Sequence, residues 1–257
     1  VEGTDIQFEN YTGPVDQIDS REAIRGRGRY LGSRIAEQSV VTYFERYRLT
    51  RIVGNQEQPG RAADVFEILP AGSVDHIQNL RRILAGYLEA SWGYSRTDAD
   101  LLSRFLTLYN AVHRGGLDFF SERYRPAVNR YLDAERVGLA VTYREWPGRT
   151  QVVVPIQPDR PAGALDVVDA GQIVDRAVVE ELRRRADLGI ADRKAMIAFI
   201  ERVIAERTEQ IETEREDLAQ QEEQIQERRE EIEEEIQDLE EQVVQEPEPE
   251  PEPEPAT

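Results

Sequence analysis

The C-terminal fifth of this chain cannot supply a hydrophobic core, and that limits how the rest must fold. Of 51 acidic and 32 basic side chains, residues 201–257 hold 23 and 5, which leaves 28 and 27 in residues 1–200. The net charge of −19 is therefore carried almost wholly by one end. Between 201 and 244, 18 acids and 5 bases surround one apolar residue in every seven: Ile204, Ile211, Leu218, Ile225, Ile232 and Leu239. A seven-residue recurrence keeps to one side of an α-helix, but an ordinary coiled coil needs two apolar positions per heptad. Thr208, Arg215, Glu222 and Arg229 occupy the second position, and only Ile236 and Val243 restore it near the end. The pattern predicts a long acidic helix over 192–244, about 80 Å at roughly 1.5 Å per residue, carrying half a seam. Ile204, Ile211, Leu218, Ile225, Ile232, Ile236, Leu239 and Val243 are accordingly the candidate partner-binding residues, and the expected occupant is a protein. Alone, the seam should self-associate weakly, because like charges repel until salt screens them. Residues 245–257 follow with five Glu-Pro repeats, a composition that suits a disordered polyproline II spacer.

The remaining 200 residues are nearly neutral and must hold the core. There is no cysteine, which removes disulfides, thiolate nucleophiles and Cys-based zinc sites. His76 and His113 lie in DHIQ and AVHR, without metal-ligand spacing, so no metal and no cofactor are expected. An acidic balance of this size disfavours nucleic acid. No apolar run reaches the ~18–20 residues that span a bilayer. The first residue is Val1, which suits a mature product from which a signal peptide has been removed.

Periodicity places the elements. Asp5-Ile6-Gln7-Phe8 alternates and runs into Thr12-Gly13-Pro14, predicting a short strand and turn. Ser20 offers an N-cap for a helix to about Glu37, weakened by Gly26, Gly28 and Gly32. The β-branched and aromatic residues of 40–53 and 64–69 predict two strands of a hairpin. Ser73 precedes Ile77, Leu80, Ile83, Leu84, Tyr87 and Leu88, one face of a helix that Gly93 closes. A second amphipathic helix starts near Thr97 and ends at Gly115-Gly116, and the two should pack antiparallel. Helical pieces are expected at 117–124 and 127–143, then a turn at Trp146-Pro147-Gly148 and a strand at 150–156, with Pro155 marking an edge. Residues 158–171 read as linker. Helix resumes from Ile173, breaks at Gly189 and restarts at Asp192, and the apolar density of 195–204 suggests docking on the head.

Three groupings could carry chemistry. Gly26-Arg27-Gly28-Arg29-Tyr30-Leu31-Gly32, with Arg21, Arg25 and Arg34 nearby, combines close backbone approach with guanidinium groups, so Arg25, Arg27 and Arg29 are candidate anion-binding residues. The spacing is one residue off the dinucleotide fingerprint, and the bland alternative is a glycine-interrupted helix whose arginines pair with head carboxylates. His113 with Asp118 and Glu122 could in principle exchange protons, though a helix-end histidine is more simply a favourable charge or a core contact. Phe119, Phe120, Tyr124, Tyr131, Tyr143 and Trp146 could stack ligands, but core packing is the commoner use. No catalytic residue is assigned.

Four stretches taken together resemble the spirochaete 83/100-kDa antigen family, first met in Borrelia. They are Phe8-Glu9-Asn10-Tyr11-Thr12-Gly13-Pro14; Asn79-Leu80-Arg81-Arg82-Ile83-Leu84-Ala85-Gly86-Tyr87-Leu88; Leu108-Tyr109-Asn110-Ala111-Val112-His113-Arg114-Gly115; and Trp146-Pro147-Gly148-Arg149-Thr150-Gln151. The resemblance covers roughly residues 6–190. It implies an exported cell-envelope protein, periplasmic or otherwise envelope-associated, with an N-terminal domain followed by a charged coiled-coil region. The family tends to carry a further C-terminal domain. The resulting expectation is an α+β chain: a mostly helical head with a small antiparallel sheet over 1–160, a linker and connecting helix over 161–191, the acidic helix over 192–244 and the spacer over 245–257. Its expected role is non-enzymatic, structural or recruiting, with a host-binding adhesin and an envelope enzyme as the rivals.

Overall fold

The computed structural model describes residues 6–14, 19–36, 41–44, 46–55, 57–184 and 189–245, with only the backbone of 189 and 238–245. The chain forms two compact units, Val1–Ile204 and Ala205–Thr257. The Glu-Pro spacer and Asp5 of the expected first strand lie outside the described residues. At Glu9 the chain makes an isolated parallel bridge to Thr142 rather than the alternating strand expected over 5–8.

Helix α1 (Arg21–Ala36) begins where Ser20 Oγ accepts from the Ala23 amide at 3.0 Å. Three strands follow: β1 (Val41–Phe44), β2 (Tyr47–Ile52) and β3 (Ala62–Ile68). The stretch expected as one strand is thus two, because β1 turns back on β2 with Phe44 opposite Tyr47. Helices α2 (Ile77–Trp92) and α3 (Arg96–Val112) are the two amphipathic helices. Gly93 ends α2 at φ 75°, as expected of a left-handed C-cap. The α2 N-cap is His76, and the Ile77 amide is taken by Asn10 Oδ1 at 2.7 Å, a partner far away in sequence. Helices α4 (Leu117–Arg123) and α5 (Pro126–Tyr131) come next.

The helix expected to run to 143 stops at Tyr131. Tertiary pairing outcompetes local propensity there: Gly138, at φ 87°, donates to Gln151 O at 2.9 Å, and the Leu139 amide donates to Asn110 O at 2.9 Å. A 3-10 turn (Tyr143–Glu145) leads to β4 (Gln151–Ile156), which pairs antiparallel with β3. The sheet order is β1-β2-β3-β4, so β4, with Pro155, is an edge strand as expected. An edge strand exposes unpaired amides and carbonyls unless something takes them. Here Asn110, buried on α3, donates Nδ2 to Val153 O at 3.0 Å and accepts from the Val153 amide at 2.8 Å, standing in for a fifth strand.

The segment expected as linker is core. Its loop pairs with β4, the Gln157 amide donating to Val167 O at 2.8 Å and the Asp169 amide to Pro155 O at 3.1 Å. Val167, Val168, Ile173 and Val178 are fully buried. Helices α6 (Ala170–Ile173) and α7 (Arg176–Arg184) complete this layer, and buried Glu181 of α7 accepts from the Ile6 amide at 2.5 Å. The last helix, α8, runs Gly189–Gln245. Its first turns dock as expected, with Met196 and Phe199 buried and Arg202 paired to Asp98. The head unit therefore reaches Ile204, and the expected boundary at 160 would have cut through its core.

Buried charge inside this core is paired throughout the sheet. Asp64 takes Arg51 through two hydrogen bonds of 2.9 and 2.8 Å and the Tyr87 hydroxyl at 2.6 Å, while Arg51 lies 4.1 Å from the centre of the Trp92 ring. Glu67 accepts from Arg48, Arg136 and the Tyr131 hydroxyl. Removing one member of such a cluster would leave a desolvated charge behind, which costs roughly 3–5 kcal/mol.

Candidate functional site

In the acidic unit, the sequence left one apolar stripe, and the structure keeps it uncovered. Ile211, Leu218, Ile225, Ile232 and Ile236 are 50%, 58%, 56%, 42% and 50% exposed, and Ile204, at the end of the head unit, is 59% exposed. Leu239 and Val243 lie on α8 beyond the described side chains. An α-helix advances about 700° in seven residues, so a strict heptad stripe drifts roughly 20° per repeat. From Ile211 to Ile232, three repeats on, the stripe thus slews about 60° around a straight helix. A partner that follows it must wrap. On the flanks, polar pairs such as Arg228 to Glu231 at 2.6 Å and Gln226 to Glu230 at 2.9 Å are local to the helix. The stripe offers apolar area and the flanks offer carboxylates, so the chemistry that fits is an amphipathic surface with basic borders.

Arg25, Arg27 and Arg29 of α1 have carboxylate partners. Arg25 meets Glu89 at 2.6 Å and Asp100 at 2.7 Å, Arg29 meets Glu89 at 2.8 Å and also Glu22, and Arg27 meets Asp19 at 2.7 Å. Burial opposes the charge on Arg25, yet the hydrogen bonds to Glu89 and Asp100 outweigh it and hold the guanidinium more firmly protonated than usual. Burial likewise pushes the Glu89 carboxyl up, and Arg25 and Arg29 pull it below the ordinary range. The glycine spacing, read as room for an anion, is room for a second helix. A Cβ at Gly28 would sit 1.8 Å from Ile83 O, one at Gly32 2.6 Å from Tyr87 O, and one at Gly86 2.1 Å from Arg25 O. Helices α1 and α2 cross backbone to backbone through those three glycines. Gly26 has no such neighbour within 4 Å.

His113 is also partnered within the head. Its Nε2 lies 2.6 Å from Asp175 Oδ2, and its ring stacks on Phe119 with centroids 3.5 Å apart and 8° between planes. Asp175 also accepts from the Val178 amide at 2.9 Å, starting α7. Burial raises the Asp175 carboxyl, but the bond from His113 and the amides of Val178 and Ala177 bring it below its ordinary value. Asp118 and Glu122, the acids weighed as its companions, are not the ones that reach it. Asp175 is 62 residues from His113, a separation no local pattern could reveal. Of the aromatic run, Phe120, Tyr124 and Trp146 are buried in the core.

Among the described residues no group of three or more His, Cys, Asp or Glu is arranged to hold a metal ion, and no helix is long and apolar enough to cross a membrane. The fold and stripe define a class: an α+β head in a chain whose acidic helical segment presents one narrow apolar face. The chain belongs to the Borrelia P83/100 protein family, whose family model matches residues 1–253. That match extends past the head through the acidic helix, well beyond residues 6–190. No curated protein and no solved structure matches the chain.

Proposed function

We propose that this chain is a non-enzymatic, structural or recruiting protein of the spirochaete cell envelope, whose acidic helix engages a protein partner along its apolar stripe. The observation that carries the reading is the exposure of Ile211, Leu218, Ile225, Ile232 and Ile236 on one helix. Exposed large apolar residues scattered singly need no explanation, but a periodic line of them does. The half-filled seam argues against tight self-pairing, and the density of carboxylates beside it opposes a second copy further. A helix with basic flanks relieves both defects, so the partner is of that kind. An envelope location, periplasmic or otherwise, follows from the family and is part of the same proposal.

The experiment is site-specific photocrosslinking of the full chain with envelope fractions. A photoreactive residue at Leu218 or Ile225 should give one discrete adduct. The same probe at Gln220, about 200° around the helix from Leu218 by the ~100° step, should not. Equal labelling from both faces, or none from Leu218, would remove the stripe as the interface.

A further inference from the structure

A cleft of about 410 Å³ opens between α1, α2 and α3, with Leu182 of α7 and Asp192 of α8 also in its wall. That size lies within the roughly 300–1,000 Å³ usual for small-ligand pockets. Its lining is cationic: Arg21 and Arg25 from α1, Arg81 and Arg82 from α2, and Arg96 and Arg104 from α3. Two carboxylates share the wall, and both are already engaged, Asp100 with Arg25 at 2.7 Å and Asp192 with Arg104 at 2.5 Å. Arg96 reaches Glu22 at 3.3 Å. Arg21 and Arg82 meet no carboxylate among the described residues; Arg82 Nη1 donates only to the neutral Asn79 Oδ1, at 2.7 Å. Burial lowers the basicity of Arg82, and the charges of Arg21 and Arg25 lower it further, with Asp100 opposing. Like charges facing one cleft destabilise the empty protein.

We infer that this cleft binds a phosphate group, carried by a small organophosphate or by a phospholipid headgroup, with Arg21 and Arg82 taking its charge. A phosphate monoester is a dianion with three acceptor oxygens, which two guanidinium groups without a carboxylate ion pair can neutralise through paired N–H donors, whereas a single carboxylate would satisfy only one of them. The cleft shares Arg21 with the arginine grouping around the α1 glycines, but its second free charge, Arg82, comes from α2. Of Arg25, Arg27 and Arg29, only Arg25 lines this cleft, and its charge is spent on Glu89 and Asp100. The inference is also independent of the stripe on the acidic helix.

The test uses the full chain and two probes: inorganic pyrophosphate followed by titration calorimetry, and cosedimentation with phosphatidic acid vesicles, whose headgroup is a phosphate monoester, against phosphatidylcholine vesicles. At least one phosphate probe should bind, and Arg21→Gln and Arg82→Gln should each weaken it by about tenfold, the scale of one charge-assisted contact. Arg130→Gln on α5, outside the cleft, should leave binding unchanged. Arg21 is exposed at the start of α1, so its variant keeps the fold, as a matching fluorescence melt would verify. Pyrophosphate binding without vesicle binding assigns a diffusible ligand, and the reverse assigns a headgroup. Failure of both probes, or loss no greater in Arg82→Gln than in Arg130→Gln, overturns the inference.

Discussion

Replacing a glycine by alanine should move the melting temperature in opposite directions at two positions only two residues apart. At Gly28 an added Cβ meets Ile83 O at 1.8 Å, a backbone atom that cannot swing away. An ordinary C···O approach is about 3.3 Å, so α1 and α2 must part locally by roughly 1.5 Å. Overpacking of that kind costs about 1–3 kcal/mol or more, against a gain of about 1 kcal/mol from helix propensity. Because the clash is with backbone the upper end of that cost applies, so the net loss should approach about 2 kcal/mol, or roughly 4–8 °C for a domain of this size at about 2–4 °C per kcal/mol. At Gly26, where nothing lies within 4 Å, propensity alone acts, and Gly26→Ala should raise the midpoint by about 2–4 °C. Fluorescence reads the head selectively, because Trp92 and Trp146, the two tryptophans, are both buried there. Thermal melts of Gly28→Ala and Gly26→Ala that shift in the same direction would refute the helix-crossing argument.

Three further outcomes follow from particular contacts. Asn110→Ala should destabilise by about 2–4 kcal/mol in urea titration, since it strands the buried amide and carbonyl of Val153; a loss under about 1 kcal/mol would mean water repairs the edge. A chain ending at Ile204 should melt cooperatively within a few degrees of the full chain, whereas one ending at Pro161 should bind hydrophobic dye. The shorter piece forfeits the burial of Val167, Val168, Ile173 and Val178, each worth about 1.5–3 kcal/mol. Asp175 contributes its stabilisation above its ordinary value of 3.8 and loses it as pH falls through the lower folded value. The stability gap between wild type and Asp175→Asn should therefore be full at neutral pH and close only below pH 3.8; a gap that closes between pH 7 and 5 would contradict the assignment.

What could be read from the sequence was local. The faces of α2 and α3, the Gly93 cap, the Ser20 cap and the edge role of Pro155 each depend on residues a few positions apart, and all appear in the structure. The misreadings have distant causes. Residues 40–53 contain no Gly or Pro to announce the reversal between β1 and β2. The acceptor for the first amide of α2, Asn10 on the Ile77 N–H, comes from 67 residues away, beyond any local pattern. The Pro/Gly-rich composition of 158–171 concealed Val167 and Val168, which bond to β4 from the far side of a loop. At the candidate site, the stripe was legible because its period is written along one helix. The charge balance of the cleft was not, because it depends on which carboxylates α1, α2, α3 and α8 bring to which arginines.

The most direct test of the proposed interface separates apolar contact from added charge. Leu218→Glu with Ile225→Glu places two carboxylates in the stripe, while Gln220→Glu with Gln224→Glu adds the same two charges at about 200° and 240° around the helix from Leu218. Both doubles would be assayed as full chains carrying a photoreactive residue at Ile211, with envelope fractions, by the yield of the crosslinked adduct. The account predicts that the stripe double abolishes the adduct and the off-stripe double preserves most of it. Equal yield from the two, whether both retained or both lost, would contradict an apolar interface on this helix.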